Sequence, residues 1–231
     1  MAAWKRHWRL GSLILAAIIC GTGCNALTMP FFLFQRLGGS DSNMPPKMRR
    51  LAADDKKKLV KVVVMAWSGL QSQPEFLTVD RDMTLVFCRR LQESFRTNKE
   101  NVVLLPAAKV ERYKDMHPNW YTDVAAVGKE FKADYVIFLQ IESMSLYKPG
   151  SHNQLYQAHA TIGVSLYDMA QLDAGPQLES YVTEFPNGSE QMVEGNNPLP
   201  FEQKFFEHMA KDLCRYFDGW DYGDQFDIPE P

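Results

Sequence analysis

The sequence has few of the features that usually announce a chemistry. The apolar stretch near its amino terminus, residues 10–20 (LGSLILAAIIC), is shorter than the roughly 20 apolar residues a helix needs to cross about 30 Å of hydrocarbon. Neither charge sign dominates: 25 Lys and Arg against 28 Asp and Glu leave a net charge of -3. With no basic stripe on any predicted helix, nothing suggests a nucleic-acid partner. Only four cysteines occur, and two of them, Cys20 and Cys24, fall in the leading segment. Cys88 and Cys214 are too few to build a disulfide framework, so the core has to come from apolar burial. They sit at the margins of two helical stripes, and whether they pair is open.

Catalytic and cofactor motifs are missing too. The glycines at 38–39, 69, 128 and 188 stand apart and form no phosphate-cradling loop. Gly128 falls within a predicted helix, which favours a packing role. His117, His152, His159 and His208 form no HExxH pair, and none has zinc-ligand spacing to a cysteine. His159 falls on the polar side of a predicted strand and is read as a surface residue. No GxSxG elbow occurs. Arg89 and Arg90 follow Cys88 but point elsewhere on the helix, which argues against an activated thiolate. Asp218, Asp221, Asp224 and Asp227 recur every third residue. Calcium loops ligate at every second position, so these read as a solvated acidic tail. The expectation is a chain with no catalytic, cofactor-binding or metal-binding residues.

What is present begins at the amino terminus. Lys5, Arg6 and Arg9 precede the apolar core, and Gly21, Thr22 and Gly23 come after it. A positive opening, an apolar segment of roughly 7–15 residues and a small-residue close make a secretory signal. The small residue Gly23 before Cys24 resembles the bacterial lipobox, whose cysteine receives diacylglycerol and becomes the mature amino terminus. Gly21 stands where that box normally has an aliphatic residue. A plain cleaved signal and an uncleaved anchor extended by Ala26, Leu27 and residues 29–34 remain alternatives; all three place the domain outside the cytoplasm. Cys24 is thus the expected lipidation site, carrying acyl chains such as palmitate, and residues 1–23 are the expected signal peptide. Residues 24–57, with Pro45, Pro46 and a basic cluster, are expected to form a tether.

The expected domain covers residues 58–217, with the acidic, aromatic tail 218–231 after it. LVKVVVMAW at 59–67 is a strand buried on both faces. Val79, Met83, Val86, Phe87, Leu91 and Phe95 mark one helical stripe, with Thr78 or Asp80 as its cap. A short strand at 102–105 precedes helices at 107–116 and 122–132. The run 135–147 begins continuously apolar and ends in alternation. In 154–168, Tyr156, Ala158, Ala160, Ile162, Val164 and Leu166 alternate with polar residues, as in an antiparallel strand with one wet side. Residues 178–185 are its hairpin partner. Phe201, Phe205, Met209, Leu213 and Phe217 place a closing amphipathic helix at 201–217, ended by Gly219. The expectation is an α/β (α+β) fold: a mixed sheet of about five strands, parallel early and antiparallel late, with helices packed on it.

LVKVVVMAW, then VVLLP, then VAAVGKEFKADYVIFLQIESM, resembles a family of bacterial envelope proteins. They share a small α/β domain also found in the amino-terminal part of the TolB translocation protein. Its members include the curli-export lipoprotein and the lipoprotein activators of penicillin-binding proteins. The resemblance covers about residues 58–185 and has no chemistry in it. It implies a non-enzymatic, membrane-tethered lipoprotein of the cell envelope that binds or helps assemble other envelope proteins on the periplasmic side. The curli exporter brings a homo-oligomeric ring as an alternative, although this chain has no pair of long alternating segments for a barrel. An extracytoplasmic hydrolase is the enzymatic alternative. Asn25, rather than Asp, after Cys24 implies the outer membrane over the inner.

Overall fold

The computed structural model describes residues 43–53, 58–70, 74–188, 190–193 and 197–221. Cys24 and most of the tail lie outside them. The chain divides into two units. Met44–Trp220 is the larger, and the other contributes only Asn43 and Asp221 to the described residues.

Nine residues of nearly unbroken β-branched and apolar character, Val60–Ser68, form β1. Such a strand is stable only when covered on both faces, and it lies inside the sheet, parallel to β2 (Val102–Leu104) on one side and to β3 (Tyr135–Tyr147) on the other. β4 (Leu155–Asp168) pairs antiparallel with β3, and β5 (Gln177–Phe185) antiparallel with β4, giving the order β2-β1-β3-β4-β5. A two-residue β6 (Gln191–Met192) also pairs with β4. The mixed five-stranded sheet expected from the sequence is therefore present, parallel first and antiparallel after.

Among the described residues, four α-helices cover it. α1 (Val79–Thr97) joins β1 to β2, α2 (Ala107–Met116) and α3 (Val124–Phe131) join β2 to β3, and α4 (Leu199–Cys214) closes the chain. The α1 stripe Met83, Phe87, Leu91 and Phe95 packs with Phe205, Met209 and Leu213 of α4 over Val62, Val64, Ile137, Leu139, Ile162 and Val164. Each large apolar side chain buried this way contributes about 1.5–3 kcal/mol. Phe201 stacks on Tyr156 at 4.4 Å, which sets the start of α4 against β4. The opposite face carries a smaller cluster, Val110, Trp120, Val124 and Val127 against Val63, Met65, Val136 and Phe138. That cluster takes no β5 residue, so Val182 and Leu178 of β5 stay 71% and 68% exposed. The wet side expected of the antiparallel half is this open face.

α3 shows its causes locally. Asp123 caps it by accepting from the Ala126 N–H at 3.0 Å, and Lys132 ends it at φ 49°. Gly128 is a packing glycine, as expected, because a Cβ there would lie 2.7 Å from Val136 Cγ2.

Three boundaries differ from expectation. The folded unit starts before Lys58: the N–H groups of Lys47, Met48 and Leu51 donate to the carbonyls of Arg215, Tyr216 and Phe217, and Leu51 is 1% exposed within the main core. α4 stops at Cys214 rather than Phe217, because the turn after it gives its carbonyls to that same segment. Phe217 nonetheless remains fully buried. Asp218, expected in a solvated tail, is 1% exposed and accepts from Ser94 Oγ at 2.5 Å and Asn98 Nδ2 at 2.9 Å. It fixes the turn after α4 to the end of α1.

Candidate binding crevice at the end of β1

β1 is the branching point of the fold. The crossover through α1 leaves on one face of the sheet, and the crossover through α2 and α3 lies on the other. In α/β sheets such a switch opens a crevice beyond the carboxyl ends of the strands. A cavity of about 440 Å³ lies there, with Trp67, Asp80, Glu111, Lys114, Asp115 and Tyr121 among its walls.

Lys114 governs its inner end. It lies one helical turn after Val110, on the stripe of α2 that faces the sheet, so its stem is buried and its side chain is 8% exposed. The ammonium donates to Asp80 Oδ2 at 3.1 Å, Glu111 Oε1 at 3.0 Å and the Ala66 carbonyl at 3.3 Å. An ammonium has three N–H donors, and these acceptors occupy all of them. Its charge also lies 5.1 Å from the centre of the Trp120 ring. The outer wall is aromatic: Trp67 stacks on Tyr121 at 5.0 Å, with Trp120 edge-on to Tyr121. Asp115 is exposed, and its carboxylate forms no hydrogen bond or ion pair among the described residues. Three carboxylates against one ammonium give the lining a net charge of -2. The crevice can hold a small group by stacking and by charge.

Residues singled out in the sequence fall elsewhere. His159 is on the open face of β4, opposite Glu184 of β5. His117 stacks on Tyr113, and His152 sits in a turn at φ 52°. Burial lowers the His208 imidazole below its usual range, and its Nε2 lies 3.2 Å from Thr183 Oγ1. Cys88 and Cys214 are free thiols. Burial pushes Cys88 up to about 12 and raises Cys214 as well, so neither is an activated thiolate. A second polar cluster joins Arg50, Glu100 and Asp218. Burial, with Asp218 beside it, raises the Glu100 carboxyl above the ordinary range against the pull of Arg50. Among the described residues no group of His, Cys, Asp and Glu is placed to hold a metal ion. Nor is any described helix long and apolar enough to cross a membrane.

Lys114 is not among the residues the sequence motifs pick out, although it carries a signal: a lysine four residues after Val110, on a stripe that must face inward.

No protein-family model matches the sequence, and comparison with curated proteins finds no match. Several solved structures are similar. The PelC dodecamer from Paraburkholderia phytofirmans aligns over 69% of this chain and 89% of its own at 10% identity, with a TM-score of 0.39. The hypothetical protein CT253 from Chlamydia trachomatis covers 69% and 98% at 12% identity, TM-score 0.41. The lipoprotein GNA1162 from Neisseria meningitidis covers 66% and 97% at 11% identity, TM-score 0.40. Likeness of this size assigns neither an activity nor a partner to this chain.

Proposed function

We propose that this chain is a non-enzymatic lipoprotein of the bacterial envelope, held on a membrane by lipid at Cys24, that binds other envelope components. The observation that carries the reading is the order of segments in the sequence. A basic opening, a short apolar core and Gly23-Cys24 stand directly ahead of a unit that folds from Met44. Nineteen residues lie between Cys24 and Met44, so the domain stands at most roughly 70 Å from the bilayer surface. Lys114, the cation among the residues lining the crevice, has its donors engaged by Asp80, Glu111 and the Ala66 carbonyl, which fits a structural lysine. Acyl chains add about 0.8 kcal/mol per buried CH₂, so a lipidated cysteine attaches the domain permanently. Asn25 favours residence in the outer membrane.

Fractionation of cells expressing the full chain tests this. The protein is expected in the membrane fraction, resistant to high salt and released by detergent, with the domain digested only by protease that reaches the periplasm. Recovery in the cytosol contradicts it.

A further inference from the structure

We propose that the crevice at the end of β1 binds an organic cation, an ammonium or guanidinium group, between the stacked rings of Trp67 and Tyr121 and the carboxylate of Asp115. The proposal deepens the reading of this domain as a binding protein. Its first support is position, since the cavity lies at the topological switch point where α/β sheets take ligands. At about 440 Å³ it has room for a small group, and its outer side is open to solvent.

Charge decides the sign of the ligand. Lys114 faces Asp80 and Glu111 at 3.1 and 3.0 Å, so its charge is already compensated within the wall. Asp115 is left with no partner among the described residues, and the lining carries -2. An anion would enter against this field.

The walls decide between a metal and an organic cation. Trp67, Trp120 and Tyr121 line the crevice with aromatic rings, which ligate no divalent ion but attract ammonium and guanidinium groups through their quadrupoles. The carboxylates do not converge as a ligand set. The crevice also shows the geometry in miniature, because the Lys114 ammonium lies 5.1 Å from the Trp120 ring centre. A ligand cation would use the neighbouring aromatic pair in the same way, with Asp115 as its counter-ion.

The test is calorimetric titration of the detergent-solubilised full chain with three probes: N-acetyl-arginine methyl ester, an N-acetylated and amidated tripeptide with a central arginine, and N-acetyl-citrulline methyl ester as the neutral isostere. Saturable binding of the arginine probes at low salt is expected, weakened about fivefold or more by Asp115→Asn and by Tyr121→Ala. Asp115 is exposed, so Asp115→Asn is expected to melt like the parent; Tyr121→Ala loses its ring contacts with Trp67 and Trp120, so its melting curve is recorded on the same samples and its binding is compared at a temperature where it is folded. Tighter binding of the tripeptide than of the ester identifies the ligand as a peptide side chain; equal binding identifies a free cation, and either supports the proposal. No saturation by about 10 mM ester, equal binding of the citrulline ester, or indifference to both substitutions overturns it. Membrane attachment is read separately by fractionation, so a membrane-bound chain that ignores the cations refutes the crevice proposal alone.

Discussion

Replacing Lys114 with methionine isolates what the buried ammonium does. Methionine keeps the length and apolar stem but removes the charge that Asp80 and Glu111 face at 3.1 and 3.0 Å. Breaking a fully buried ion pair by deleting one partner costs about 3–5 kcal/mol, because the other charge is left without compensation. Here the two carboxylate side chains are 13% and 23% exposed, so water recovers part of that loss. The Ala66 carbonyl loses its donor as well. The expected cost is therefore at the lower end, about 2–3 kcal/mol. Urea unfolding of the detergent-solubilised full chain at neutral pH should show it as a midpoint lowered by about 1 M. Adding Asp80→Asn to Lys114→Met should recover about 1 kcal/mol, since one uncompensated charge is gone. A loss below about 0.5 kcal/mol, the value of an exposed surface pair, would refute the view that this ammonium is a buried organising charge.

Phe205 is fully buried between α4 and the sheet, so Phe205→Asp places an unpaired carboxylate in the core; a sharply lowered melting temperature is expected, and an unchanged melting curve would contradict the docking of α4. Leu51→Ala should cost about 2–3 kcal/mol in urea unfolding if residues 47–51 belong to the fold, whereas a mere tether residue would cost nothing. Glu100 is raised in the folded state, so its contribution is present at low pH and is lost as pH rises through the folded value. Wild type should therefore lose stability relative to Glu100→Gln as pH rises above the ordinary glutamate value of about 4.3, measured by urea midpoints, and a pH-independent difference would refute this.

The elements whose periods are set by burial were legible. β1 reads as a central strand because both its faces are covered, β4 as a half-wet one because only one is, and α1 and α4 by large apolar residues at four-residue steps. The segment 47–51 was not, because its attachment uses backbone N–H groups and one leucine among Pro and Arg, a composition indistinguishable from a linker. Asp218 misled for a related reason. Its place in a run of acidic residues suggests solvent, while its partners Ser94 and Asn98 lie more than a hundred residues away in the sequence. The crevice was the hardest to see. Its residues come from the end of β1, the first turn of α1, the last turns of α2 and the loop beyond it, and no short motif joins them. Only Lys114 on an inward stripe gave a local sign.

The most direct measurement is the mass of the amino-terminal peptide of the mature protein purified from envelopes. The account predicts a peptide that begins at Cys24 and carries a thioether-linked diacylglycerol, with no such species from a Cys24→Ser chain that still folds. A mature protein that begins elsewhere without lipid, one that retains residues 1–23, or acyl label persisting on the serine variant, would contradict it.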